Sequence, residues 1–264
     1  MVEGSPGSSA AIRIVFCGTP EFAVPTLQRL IAEPGFAIEA VISQPDRPRG
    51  RGQQVASSPV KEVALEAGLY VYQPETIKSD SAYEFFKRLQ PDAVVIIAYG
   101  QIIPPRLIEI PRLGWINLHA SLLPKYRGAA PLNWAILNGE RRTGLTTTQI
   151  DAGMDTGPIL RQQEMEIGKE ETAPELALRM AEAGAPLVVE TLRKLFRGEI
   201  RPAPQDHEKA TYARPLKKED GHIDWSLTAE QIYNRIRGLQ PWPGAFTTFR
   251  SKMCHLWGWP AEPG

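Results

Sequence analysis

Cysteine is nearly missing from this chain. Only Cys17 and Cys254 occur among 264 residues, far apart and in no CxxC pair. That argues against a disulfide framework and against structural zinc, and it favours a reducing, cytoplasmic setting. Net charge is missing too, since 30 Lys+Arg balance 30 Asp+Glu. Any anionic partner must therefore be met by local clustering of cations. No apolar run approaches the roughly 18–20 residues that cross a bilayer, so no membrane association is expected. The opening MVEGSPGSSA lacks the basic-then-apolar form of a signal peptide and reads as a short disordered lead, 1–10. Internal repeats are absent as well. What remains is an ordinary globular composition, 42% hydrophobic and 23% charged. It can bury a core in one large α/β domain plus a smaller appendage.

Apolar, β-branched runs at 11–17 (AIRIVFC), 37–43 (AIEAVIS) and 92–98 (DAVVIIA) have the form of buried parallel strands. Helical stretches at 59–67 and 80–89 and a short strand at 70–72 alternate with them. That order predicts βαβ units, a mostly parallel sheet and right-handed crossovers. Thr19-Pro20 reads as an N-cap with a first-turn proline, ahead of a helix through Leu27, Leu30 and Ile31. Further on, strands are expected at 114–119, 143–150 and 158–167, and a helix near 130–138. Thr172 and Glu175 have capping-box spacing. Leu176, Met180, Ala183, Leu187, Thr191 and Leu195 then repeat as one face of a long helix, and Gly198 suits its C-cap. The stripe reads as core. Proline and charge mark 201–215 as a linker between a domain at 11–200 and a C-terminal piece at 216–264 that mixes short strands with one helix.

Three strand ends carry unusual residues. Gly18-Thr19-Pro20 holds a single glycine, not GxGxxG, so a dinucleotide cradle is not expected. Asn117 and His119 are two apart on a strand and therefore share a face, about 6.5 Å from one another. An amide beside an imidazole can hydrogen-bond a carbonyl oxygen that gains negative charge, and histidine can move a proton. The plain alternative is a histidine that only satisfies its own hydrogen bonds. Asp151 and Asp155 lie in DAGMDTG, where aspartates between glycines often serve only as turn formers. If one of them reaches His119 it would set the tautomer of the ring, and Asp155 is the better placed, beside Thr156-Gly157. One histidine and no cysteine in these motifs argue against a metal. The loop 44–58, QPDRPRGRGQQVASS, gathers Arg47, Arg49 and Arg51 with almost no hydrophobic anchor. It is expected to be mobile, and either to pair with phosphates or to remain a solvated loop. Lys125 and Arg127 extend the basic surface.

The strings IVFCGTPEFAVPTL, SQPDRPRGRGQQVASSPVK, IIAYGQIIP, INLHASLLPKYRGAAPLNWAI and DAGMDTGPIL, in this order between about residue 12 and about residue 250, closely resemble the methionyl-tRNA formyltransferase family. INLHxSLLPxYRGAAP with DAGMDTG marks folate-dependent formyltransferases as a class, and the PDRPxGRG loop points to tRNA-directed members. The resemblance implies a Rossmann-like formyltransferase domain followed by an OB-like C-terminal β-barrel. It implies 10-formyltetrahydrofolate as co-substrate and formyl donor, without a metal, and initiator Met-tRNA as acceptor. Asn117, His119 and Asp155 fall on the catalytic positions. Ser121, Leu122, Leu123 and Pro124 fall on the folate-contacting segment. Ala98, Tyr99 and Gly100 fall on the turn that holds the pterin, with Phe22 beside it. Arg47, Arg49 and Arg51, with Lys125 and Arg127, fall on the tRNA side, and Arg51 is the foremost candidate for the acceptor stem. A monomer is expected. The chain departs from the family where it stops, soon after PWPGAFTTF, so the OB-like barrel reads as incomplete. The alternatives are a formyltransferase acting on a glycinamide ribonucleotide or an amino sugar-nucleotide, and a non-catalytic RNA-binding relative.

Overall fold

The computed structural model describes residues 11–49 and 54–258. They fall into two compact units, Met1–Ile116 with Val188–Ile200, and Asn117–Leu187 with Arg201–Gly264. Among the described residues no helix is long and apolar enough to cross a membrane.

The first unit is a wound α/β arrangement. Strand β1 (Ile12–Gly18) leads through a 3₁₀ turn (Glu21–Ala23) to helix α1 (Val24–Ala32) and strand β2 (Phe36–Ile42). Then come β3 (Arg47–Arg49), β4 (Gln54–Ala56), α2 (Pro59–Glu66), β5 (Val71–Tyr72), α3 (Asp80–Leu89), β6 (Ala93–Ile97) and α4 (Pro105–Ile108). Here the strands run in the order β6-β1-β2-β5, all parallel. Every residue of β6 is buried, and so is β1 apart from Arg13. These are the runs whose apolar character, broken in β1 only by Arg13, predicted strands covered on both faces. Each large apolar side chain so buried contributes about 1.5–3 kcal/mol. Helix ends are closed locally: the hydroxyls of Ser58 and Ser79 accept from the amides of Lys61 and Ala82.

One expectation is corrected here. Thr19 caps no helix. Ala23 is the N-cap residue of α1 and Pro25 its first-turn proline, while the Thr19 hydroxyl donates to the Tyr99 carbonyl (3.3 Å). Gly18 itself answers to packing, because a Cβ there would lie 2.9 Å from the Phe16 ring and 3.2 Å from the Ile97 carbonyl oxygen. The segment 44–58, expected as a loop, contains two short strands among its described residues. β3 and β4 pair antiparallel, with Arg47 opposite Ala56. Polar side chains anchor the base of this hairpin. Gln73 Nε2 donates to the Gln44 carbonyl and to Asp46 (2.8 Å each), and Lys61 pairs with Asp46, holding its carboxyl below the usual range. Arg51, at 50–53, lies outside the described residues.

Strand β7 (Trp115–His119) carries the chain from the first unit into the second. The second unit continues with β8 (Arg127–Gly128), α5 (Pro131–Leu137), β9 (Arg142–Gln149), β10 (Ile159–Glu166), α6 (Ala173–Phe196), β11 (Tyr212–Ala213), α7 (Ala229–Gly238), β12 (Ala245–Phe249) and β13 (Lys252–Leu256). β9 and β10 are antiparallel, β8 and β11 pair in parallel, and β12 with β13 forms an antiparallel hairpin. Helix α6 continues past Leu187 into the segment that belongs to the first unit. Leu176, Met180, Leu187 and Thr191 of its predicted stripe are buried, while Ala183 and Leu195 are half-buried. Glu175 accepts from both the amide and the hydroxyl of Thr172. Gly198 closes the helix with φ +69, its amide donating to the Leu195 carbonyl.

Candidate active site

His119 ends β7 and is 6% exposed. Asn117, two residues back, is half-buried. Leu118 between them is buried beside Gly184 of α6, where a Cβ would lie 2.4 Å from a Leu118 methyl. The alternation that predicted a shared face for Asn117 and His119 is thus fixed by packing on the opposite face. His119 Nε2 lies 2.9 Å from the Tyr126 carbonyl oxygen. A carbonyl only accepts, so Nε2 carries the hydrogen and Nδ1 is the ring atom that can take or release a proton. Nδ1 faces Asp155 Oδ1 at 3.6 Å, longer than a hydrogen bond. The carbonyl of Tyr126, rather than Asp155, therefore orients the ring. Sequence reading missed this partner because a backbone carbonyl has no residue signature.

Asp155 is the aspartate brought to the histidine. Its Oδ2 accepts from the Gly128 amide (2.8 Å) and its own backbone is left-handed, φ +53. Asp151 is the turn former, accepting from the Gly153 amide (3.0 Å) and the Thr156 hydroxyl (2.7 Å). The glycines allow these approaches. A Cβ on Gly128 would meet the Ala213 carbonyl oxygen at 2.6 Å, and one on Gly157 the Gln149 carbonyl oxygen at 1.8 Å. Gly157→Ala is expected to cost about 1–3 kcal/mol, since backbone must move to admit the methyl. Urea unfolding checks this, and an unchanged midpoint would show that the turn absorbs the methyl freely.

Ser121 to Pro124 form the next loop. The Ser121 hydroxyl donates to the Lys125 carbonyl (2.6 Å), and Thr146 of β9 donates to the Ser121 carbonyl (2.6 Å) while accepting from the Leu123 amide (3.1 Å). Gln162 of β10 donates to the Leu123 carbonyl (2.8 Å). Leu123 is buried, and Leu122 and Pro124 are half-buried. Tyr126 is fastened three ways, its amide to the Thr211 hydroxyl (2.8 Å), its phenol to Glu140 (2.8 Å), and that phenol oxygen to Asn138 (3.2 Å). Burial pushes its ionisation up to about 12. Lys125 is exposed. Arg127 is not, and its assignment to a phosphate surface is corrected: it is 2% exposed and its guanidinium donates to Gln205 Oε1. A group so enclosed by its own fold has no face left for a nucleic-acid backbone.

In the first unit, Ala98 (φ +47) and Gly100 (φ +89) make a turn after β6. Tyr99 between them is 2% exposed, and burial raises the ionisation of its phenol. Its ring belongs to the core, so this turn offers a ligand its backbone and the exposed Ala98 and Gly100. Phe22 is half-buried in the 3₁₀ turn after β1. Arg47 is exposed on β3. Among the described residues no group of three or more His, Cys, Asp or Glu is placed to hold a metal ion.

The formyl transferase family model matches residues 12–192, and the formyl transferase C-terminal domain matches 215–263. The chain belongs to the formyl transferase family. Within that class it is similar to a methionyl-tRNA formyltransferase of Solibacter usitatus, 56% identical over 246 residues that span 93% of this chain and 79% of that protein. The fold is shared with a sugar N-formyltransferase from Shewanella, with TM-score 0.72, 18% identity and coverage of 96% and 99% of the two chains. It is also shared with an N-formyltransferase from Helicobacter canadensis in complex with folinic acid and dTDP-3-aminofucose, with TM-score 0.68, 22% identity and coverage of 91% and 85%.

Proposed function

We propose that this protein transfers the formyl group of 10-formyltetrahydrofolate to the α-amino group of methionine on initiator Met-tRNA, for translation initiation. The observation that carries the chemistry is the single unit that holds His119 Nδ1 against the Asp155 carboxylate at 3.6 Å, with Asn117 two residues back on the same strand. The similarity to methionyl-tRNA formyltransferases supports the acceptor, and the folinic acid bound by a protein of the same fold supports a folate donor.

The methionyl amine attacks the formyl carbon on folate N10, and the carbonyl oxygen becomes an oxyanion. Asn117 donates to it, and so does His119 once Nδ1 has taken the proton that the attacking amine gives up, because Nε2 is committed to Tyr126. Asp155 faces that same nitrogen and steadies positive charge there as the amine gives up its proton. The carbon–N10 bond then breaks, and the folate nitrogen departs with the proton that Nδ1 returns. Ser121 to Pro124, Ala98 to Gly100 and Phe22 are the groups assigned to the folate. Residues 11–200 are assigned as the catalytic domain, 201–215 as a linker that is itself anchored, Gln205 being buried, and 216–264 as part of an OB-like module.

The acceptor arm is assigned to Arg47, Arg49, Arg51 and Lys125. Arg47 lines a cleft of about 830 Å³ together with Lys78 and Glu75, and Gly100 of the turn assigned to folate lines it too. Arg51→Ala is expected to raise KM for the tRNA about tenfold and to reduce the salt slope by about one, leaving KM for folate unchanged. Equal damage to both KM values would show that the loop serves the pocket or the fold. The reading as a whole is tested by incubation with 10-formyltetrahydrofolate and, separately, charged initiator tRNA, glycinamide ribonucleotide and an amino sugar-nucleotide. Formyl-methionine on the tRNA is the expected product, and formylation of either nucleotide in its place would overturn the acceptor.

A further inference from the structure

Gln205 lies in the stretch whose proline and charge read as a linker, yet it is 6% exposed. Its amide is fully used. Nε2 donates to the carbonyls of Asp155 (2.9 Å) and Gly157 (2.7 Å). Oε1 accepts from Nε (3.1 Å) and Nη2 (2.6 Å) of the buried Arg127. A guanidinium has donors only, so Arg127 can face only the oxygen of that amide. A flipped amide would turn its NH₂ onto the guanidinium and its oxygen onto two carbonyls, and all four hydrogen bonds would be lost. Arg127 thus dictates which way Gln205 points. Gln205 in turn grips the backbone on both sides of Thr156. That grip falls where restraint is needed, since Asp155 holds a left-handed φ of +53 that side-chain-bearing residues adopt at a cost. The neighbour of Arg127, Gly128, binds the Asp155 carboxylate directly (2.8 Å). One short strand, β8, therefore holds Asp155 twice, once through the Gly128 amide and once through the Arg127–Gln205 pair.

We propose that Arg127 and Gln205 are positioning residues for formyl transfer, a buried clamp that keeps the Asp155 carboxylate against Nδ1 of His119. The clamp rests on the reading of His119 and Asp155 as the reacting groups. It does not touch substrate, so it acts on the rate of the bound complex and not on affinity.

Gln205→Glu separates this role from mere space-filling. The carboxylate keeps a partner for Arg127, but it sets an oxygen where both donor hydrogens stood. With 10-formyltetrahydrofolate and charged initiator tRNA, kcat is expected to fall about 10²-fold, the scale on which about 1 Å of misplacement is felt. KM for either substrate should stay within about threefold. Arg127→Lys frees the amide to turn and should act in the same direction. Wild-type kcat in Gln205→Glu, or a loss confined to KM, would overturn the clamp. A second measurement is independent of turnover. In ¹⁵N-histidine-labelled protein the ring signals of His119 are expected to shift in both variants, and unchanged signals would also overturn it. If Gln205→Glu does not fold, Arg127→Lys carries both measurements. If the wild-type protein formylates none of the acceptors, the functional reading fails, and the ring signals still decide the clamp.

Discussion

Replacing His119 by alanine is expected to lower kcat for formyl transfer by about 10²–10³, the usual effect of removing one oxyanion donor. KM for folate should change little, because the lost contact strengthens only as negative charge gathers on the formyl oxygen. The fold should survive. His119 makes one hydrogen bond to the Tyr126 carbonyl, and leaving that acceptor unpaired costs about 1–3 kcal/mol, a downward shift of the melting midpoint but not its loss. Asn117→Ala, on the same face of β7, should reduce kcat in the same manner. Single-turnover assays with saturating folate and tRNA measure the step directly. Near wild-type turnover in His119→Ala would remove the histidine from the chemistry and leave it a residue that only closes the end of its strand.

The second large effect is expected from Asp155→Asn. Asparagine also tolerates the left-handed backbone, and its amide oxygen can still accept from the Gly128 amide. The substitution therefore leaves the turn in place and changes what stands opposite Nδ1, from an anionic acceptor to a neutral donor. With the oxygen on Gly128, the side-chain NH₂ faces the histidine nitrogen and occupies its lone pair. Turnover should fall at least about 10²-fold. Asp155→Ala removes the Gly128 partner as well and should cost stability in addition. In the double variant His119→Ala/Asp155→Asn the losses should not multiply, because groups that act as a unit are lost together. Fully multiplicative losses would show that Asp155 works independently of His119.

Much of this was legible in the order of residues. β1 and β6 were readable because strands buried on both faces must be almost wholly apolar, and 92–98 matches β6 to within one residue at each end. The helix expected at 80–89 has those bounds. The face shared by Asn117 and His119 followed from the two-residue period of a strand. Choosing Asp155 over Asp151 followed from the turn beside it, and each aspartate now has its partner. The arginine loop was less readable. Its strands lack alternating apolar residues, and the side chains that anchor it, Gln73 and Lys61, come from later in the chain. Arg127 misled for a similar reason. A basic residue in a glycine-bearing loop suggests a surface, and nothing nearby in sequence announces a glutamine 78 positions on.

By itself, then, the sequence determined the α/β architecture, the strand ends and the residue types that meet there. Periodicity and local turn chemistry act between near neighbours and leave a mark on composition. The tertiary structure alone decided which nitrogen of His119 is available, what holds Asp155 in a left-handed turn, and that Arg127 faces inward. Those outcomes depend on backbone carbonyls, which look the same in every residue, and on partners that only the folded chain brings within hydrogen-bonding distance.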